Sequence, residues 1–226
     1  MPQKVQCQIC NKKFGCRQIF DHRQQCLSDL HQDKNGYLIS MFSHGITGET
    51  YELHIIVNKK CKLQHLDNYL REIWCECCNH LSIFELYVDS DVITTSDNKK
   101  KKIKLVPFSM ELPKKDMIAK YGIGSKIIYT YDMGSTTTIY IQIGGELNGK
   151  KKNNDVEIVY RNNKPLIKCD KCSKKARFFK IDIPLCKLCG KKSNKDNDSK
   201  SCDSDDDDDD LLKIVNSPRT GVCGYE

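Results

Sequence analysis

Two cysteine pairs late in the chain, Cys169-x2-Cys172 and Cys186-x2-Cys189 with 13 residues between them, restrict what can form around them more than any other feature. Each pair fits a tight knuckle, and a short strand pair over Ala176 to Ile183 would bring the knuckles together as a zinc ribbon. Four thiolates at Zn–S distances of roughly 2.3 Å close a tetrahedral site with no open position, so a structural role is expected. The chain has 14 cysteines, and its opening residues MPQKVQCQIC contain no apolar run. No stretch approaches the ~18 apolar residues that span a bilayer. The expectation is an intracellular protein, cytoplasmic or nuclear, without membrane contact, in which thiols stay reduced and hold zinc in preference to forming disulfides.

A second set lies at the other end. Cys7-x2-Cys10-x11-His22-x3-Cys26 has finger spacing, with Phe14 and Ile19 where a small finger places its two core residues. A hairpin would supply Cys7 and Cys10, and a short helix would turn His22 and Cys26 onto one face. So small a unit depends on metal for most of its folding free energy. Cys16 reads as a bystander. Lys12, Lys13, Arg17 and Arg23 are basic, but one finger covers only about three base pairs and rarely binds DNA usefully alone.

Between these units the pattern changes. Tyr37 to Phe42 and Thr50 to Val57 alternate as a hairpin through Gly45 and Gly48. Leu63, Leu66, Leu70, Ile73 and Cys77 follow at steps of 3, 4, 3 and 4, one face of a helix against that sheet. Further strands are expected at 83–88, 126–131, 136–143 and 156–160, with a short helix at 116–121. The fold class is therefore α+β, a mostly antiparallel sheet packed with a central helix and flanked by two small zinc-binding units. The expected organisation is a C2HC finger at 1–35, an α+β core at 36–164, a four-cysteine zinc ribbon at 165–192, a disordered acidic linker at 193–210 and a tail at 211–226 that docks on the core. His54 and His65 read as partnered histidines and not as ligands. Gly144-x4-Gly149-Lys150 imitates a phosphate loop, but Lys151 stands where Ser or Thr would hold magnesium.

Net charge is +7, yet unevenly placed: 161–195 carries 12 basic and 2 acidic residues, and 196–210 carries nine Asp against Lys200. Lys171, Lys174, Lys175, Arg177 and Lys180 on the ribbon are candidate nucleic-acid contacts. Phe178 and Phe179 among them could stack on bases or fill the ribbon's core. An acidic protein is the other partner such a face would suit. Only six of the 37 basic residues are Arg, a Lys bias that lowers the weight of basic content as evidence. The Asp tract could fold back on the ribbon, although a solubilising linker is the plainer reading.

Three stretches, LREIWCECCNHLSIF at 70–84, YTYDMGSTTT at 129–138 and VNSPRTGVCGY at 215–225, together resemble the plasmid open-reading-frame-three-like family of the root-inducing-plasmid type. The likeness is to a branch with a finger before and a ribbon after the shared domain, and it covers most of the chain in order. It implies an α+β domain whose helix, ending near Trp74, packs on a mostly antiparallel sheet. It implies no agreed biochemical function. The chain departs from the pattern at Asn79, where relatives tend to have Gly, and at Met133, where an aromatic residue is usual.

The stretch 75–80 holds three cysteines and a histidine. Cys77 and His80, three apart, can share a helix face, and Cys78 can join them only where the helix ends. A docked tail would add Cys223, making Cys77, Cys78, His80 and Cys223 a candidate third metal site. Small thiols packed under a loop are the plainer reading. Two zinc ions are expected and a third is a candidate. The favoured function is a non-enzymatic zinc-binding interaction module for nucleic acid or protein. The alternative is a metal-dependent enzyme with an open position at the central cluster and Glu76 or Asp132 as base, although no HExxH or GxSxG motif is present.

Overall fold

A computed structural model describes residues 4–6, 12–15, 22, 36–88, 91–92, 104–105, 108–147, 156–195, 211–223 and 225. Two short hairpins, β1 (Lys4–Gln6) with β2 (Lys13–Gly15) and β6 (Asp91–Val92) with β7 (Lys104–Leu105), lie outside the main sheet. The strands of that sheet are β3 (Gly36–His44), β4 (Thr50–Asn58), β5 (Ser82–Val88), β8 (Phe108–Glu111), β9 (Lys126–Tyr131), β10 (Thr137–Leu147) and β11 (Val156–Arg161). All seven pair antiparallel, in the order β11-β4-β3-β10-β9-β5-β8. The fold is α+β, as expected from the sequence.

Alternation along the strands explains the layering. Tyr37, Ile39 and Met41 of β3 and Tyr51, Leu53, Ile55 and Val57 of β4 point to one face and are buried there. Against that face lies α1 (Leu63–Leu70), which buries Leu63, Leu66, Asp67 and Leu70. Each buried Leu contributes about 1.5–3 kcal/mol through the apolar area it removes from water. The first amides of α1 are not left open: Leu63 N–H donates to Asp116 O at 2.9 Å and Gln64 N–H to Lys114 O at 2.8 Å. His65 Nδ1 accepts from Lys62 N–H at 3.3 Å, so this histidine closes a helix end. His54 is likewise partnered, with Ser40 Oγ and Glu52 Oε1 each at 3.0 Å.

The helical stripe does not run on to Cys77. After Leu70 the chain makes one wide turn, Arg71–Cys75, in which Glu76 N–H donates to Arg71 O at 2.8 Å, five residues back. The extra residue rotates the face, so Trp74 becomes fully buried while Ile73 is only half-buried. Glu76 is already extended, with φ −69° and ψ 123°. Cys77, Cys78 and His80 therefore sit in the turn that links the helix to β5, and the i, i+3 helix-face argument for Cys77 and His80 does not hold.

The ribbon is a separate small body made of β12 (Phe178–Lys180), β13 (Ile183–Leu185) and α2 (Lys187–Lys195). A third strand, β14 (Leu212–Lys213), pairs antiparallel with β12, so the C-terminal segment completes the ribbon before it reaches the core. Among the described residues no helix is long and apolar enough to cross a membrane.

Candidate metal centres

In the ribbon, Cys169, Cys172, Cys186 and Cys189 bring their Sγ atoms within 4.8 Å of one another, the four positions expected from spacing. Cys172 Sγ lies 3.6 Å from both Cys186 Sγ and Cys189 Sγ. Sulfurs at the corners of a tetrahedron with Zn–S of about 2.3 Å would be ~3.8 Å apart, so the set already has the size of a metal site. None of the described cysteines is in a disulfide.

The backbone around each first cysteine turns its amides toward sulfur. Burial opposes ionisation of Cys169, but the N–H groups of Cys186, Lys171 and Cys172 outweigh it and lower that thiol's pKa. The N–H of Cys189, helped by that of Leu188, brings Cys186 down to about 6. Cys189 is pushed the other way, up to about 12, by its hydrogen bond with Cys172. Without a cation the four sulfurs cannot all carry charge at neutral pH; a divalent ion removes that conflict. Ser173 takes φ 56° at the knuckle's exit, and its N–H donates to Cys169 O at 2.9 Å.

The central set also converges. Cys77 Sγ, Cys78 Sγ, a ring nitrogen of His80 and Cys223 Sγ lie within 4.8 Å of one another. Three come from the turn after the wide helical turn, where Asn79 adopts φ 57°, a left-handed conformation that Asn tolerates better than most residues. Glu76 holds that turn by accepting from Asn79 N–H and from Arg71 Nη1 at 3.0 Å. His80 Nε2 lies 3.3 Å from Cys223 Sγ, and its ring meets Tyr131 edge-on at 5.8 Å between centroids. Hydrogen bonding to Cys77 raises Cys78 to about 11.

Arg219 reaches this site from the C-terminal segment. It has no solvent exposure, and its Nη2 donates to Asp132 Oδ2 at 2.6 Å and to Cys77 Sγ at 3.4 Å. Nη1 donates to Ser135 O and Thr137 Oγ1, and the guanidinium carbon sits 4.9 Å from the Tyr131 ring centroid. A guanidinium against a thiolate offsets the excess negative charge of a three-cysteine set. Asp132 Oδ2 is also 3.6 Å from His80 Nε2. Thiol and carboxylate thus face the same ring nitrogen, whereas a Cys-His-Asp relay needs them on opposite nitrogens. Four protein donors converge here, as many as a tetrahedral site takes.

Sequence reasoning missed Asp67, Arg71, Ser82 and Lys114. Asp67 Oδ1 accepts from Ser82 Oγ at 2.7 Å and Tyr129 OH at 2.8 Å, and Oδ2 from Lys114 Nζ at 3.0 Å and Arg71 Nε at 3.2 Å. A charged residue inside an apolar stripe (63, 66, 67, 70), with Arg four residues on, was the available signal. Arg219 offered none. Of the candidate nucleic-acid contacts, Lys171, Lys174, Lys175 and Arg177 are exposed and Lys180 half-exposed, while Phe179 is fully buried and Phe178 half-buried. Of the N-terminal set, His22 is helical and half-buried and β1 pairs with β2, whereas Cys7, Cys10 and Cys26 lie outside the described residues. The acidic tract and the Lys99 to Lys102 run do as well.

No family model matches the chain, and no curated protein matches it. Among solved structures, a crystal structure of a protein of unknown function from Methanosarcina mazei Go1 is similar over 53% of this chain at 17% identity, with a TM-score of 0.38. The match spans 65% of that protein's length.

Proposed function

We propose that this chain is a zinc-binding interaction module whose ribbon grips the phosphate backbone of a nucleic acid, and that its metal sites are structural. The observation that carries this reading is that both described clusters present four protein donors, a closed set in each case. Sulfur and imidazole ligands in a compact tetrahedral arrangement favour zinc over oxygen-seeking cations. The finger at 1–35 is proposed as a further zinc unit. The resemblance to the plasmid open-reading-frame-three-like family stands as a proposal beside this; in its favour, the helix running into Trp74 packs on an antiparallel sheet.

With Phe179 buried, the ribbon's outward face offers charge without a fully exposed aromatic platform. Binding would then be through phosphates, with strong salt dependence and little sequence preference. The test is fluorescence anisotropy with a labelled single strand at several salt concentrations, on the full chain and on its Lys171→Ala/Lys174→Ala/Lys175→Ala variant. For every phosphate that the variant no longer holds, the slope of log K against log salt should flatten by ~0.7. A wild-type chain that binds no single strand or duplex at low salt would sink this reading and leave an acidic protein as partner.

A further inference from the structure

We propose that the two described clusters are thermodynamically linked through residues 211–223, so that metal held at either site raises the affinity of the other. The inference rests on reading both clusters as metal sites. Leu211 packs against the ribbon cluster of Cys169, Leu185 and Cys186, and Leu212–Lys213 form the ribbon's third strand. Ile214 is buried with Ile167, Ala176 and Phe179. A few residues later the same segment delivers Cys223 to the central set.

What lies between is largely buried and is tied to both bodies. Ser217 Oγ donates to Trp74 O at 2.7 Å, Arg219 and Thr220 are fully buried, and Thr220 Oγ1 accepts from Val215 N–H at 2.8 Å. Lys164 Nζ donates to Ile214 O at 2.6 Å, and Arg161 Nη2 donates to Asn216 O. Gly221 sits at the junction with φ 82°, and a Cβ there would come within 2.6 Å of the Phe179 ring. Packed interiors shift between discrete arrangements and do not deform smoothly. Releasing the segment therefore costs the ribbon a strand and part of its core, and costs the central set its fourth ligand. Metal at the central site holds the segment down and so favours the complete ribbon; linkage requires the same factor in reverse. The placement of the basic face relative to the core then depends on metal at a site that the face does not touch.

The experiment uses the full chain loaded with zinc, titrated with EDTA, and reads alkylation of each cysteine by N-ethylmaleimide with mass spectrometry. In Cys78→Ser/His80→Asn, the EDTA concentration that half-exposes Cys172 and Cys189 should fall about tenfold, within the ~5–150-fold usual for coupled sites. In Cys172→Ser, the half-point for Cys78 and Cys223 should fall by the same factor. Gly221→Ala, which alters no ligand, should lower both. Buried-type Trp74 fluorescence in each variant establishes that the core is folded. Half-points unchanged within twofold in these variants would overturn the linkage while leaving two independent metal sites. Rapid labelling of Cys172 and Cys189 in the zinc-loaded wild type would instead overturn the ribbon as a metal site, and the linkage with it.

Discussion

Asn in place of Asp67 is the sharpest single perturbation of the core. Asp67 sits on the inner face of α1, its side chain 2% exposed, and ties the helix to β5, β9 and the loop after β8. In Asp67→Asn the remaining carbonyl can keep Ser82 and Tyr129, but the new amide turns donors toward the Lys114 ammonium and the Arg71 guanidinium. Removing one member of a buried charge cluster costs about 3–5 kcal/mol. Arg71 keeps Glu76 at 3.0 Å, and the Lys114 side chain is 29% exposed and can reach water, so the low end, ~3 kcal/mol, is expected. For a urea slope of about 2–3 kcal/mol/M this moves the unfolding midpoint down by about 1 M or more.

The assay is urea unfolding followed by fluorescence of Trp74, the chain's one tryptophan, which is fully buried seven residues on from Asp67. The pH dependence is a second check. Burial alone would raise the Asp67 pKa, but hydrogen bonds from Ser82, Lys114 and Tyr129 outweigh it and hold the carboxyl below the ordinary carboxylate range. A depressed folded-state pKa adds stability that is fully present above the unfolded value, ~3.9, and is lost as pH falls toward the folded value. The gap between wild type and Asp67→Asn should hold from pH 5 to 8 and narrow below about pH 4. A midpoint within about 0.3 M of wild type, or a gap that does not narrow in acid, would refute the argument.

Two further outcomes follow from local geometry. Cys61 and Cys75 are fully buried, which pushes their thiols up to about 11 and about 12, whereas Cys78 and Cys223 are exposed, so in folded, metal-free protein the first two should resist alkylation through lack of access while the second two react; comparable rates would show that the site around Trp74 is open. Ile181 and Asp182 turn the ribbon hairpin with φ 46° and 63°, where Asn-Gly is the favoured pair, and Ile181 is 86% exposed. Ile181→Gly should therefore stabilise the ribbon by about 1 kcal/mol, read as more urea needed to expose Cys186 to alkylation; a lower requirement would mean that the isoleucine makes contacts which outweigh its strain.

Local information determined much of this molecule. Strand alternation made β3, β4, β5, β9, β10 and β11 legible, because burial on one sheet face is written at every second residue. The convergence of Cys169, Cys172, Cys186 and Cys189 followed from spacing, since two knuckles and a hairpin admit few other geometries. Cys77, Cys78, His80 and Cys223 were legible as a set, but for a reason that fails: the helix does not carry Cys77 and His80 on one face. Tertiary structure decided the rest. The wide turn at Arg71–Cys75 that swings Trp74 inward has no marker in composition, since it depends on what the helix end must fit. Arg219 finds its acceptors 82 to 142 positions away, and Asp67 finds Tyr129 62 positions away. Such partners are chosen by sheet order and by where the C-terminal segment docks; that this segment brings Cys223 to the central set was legible, whereas its other role, as the third strand of the ribbon, could be read only once the chain was folded.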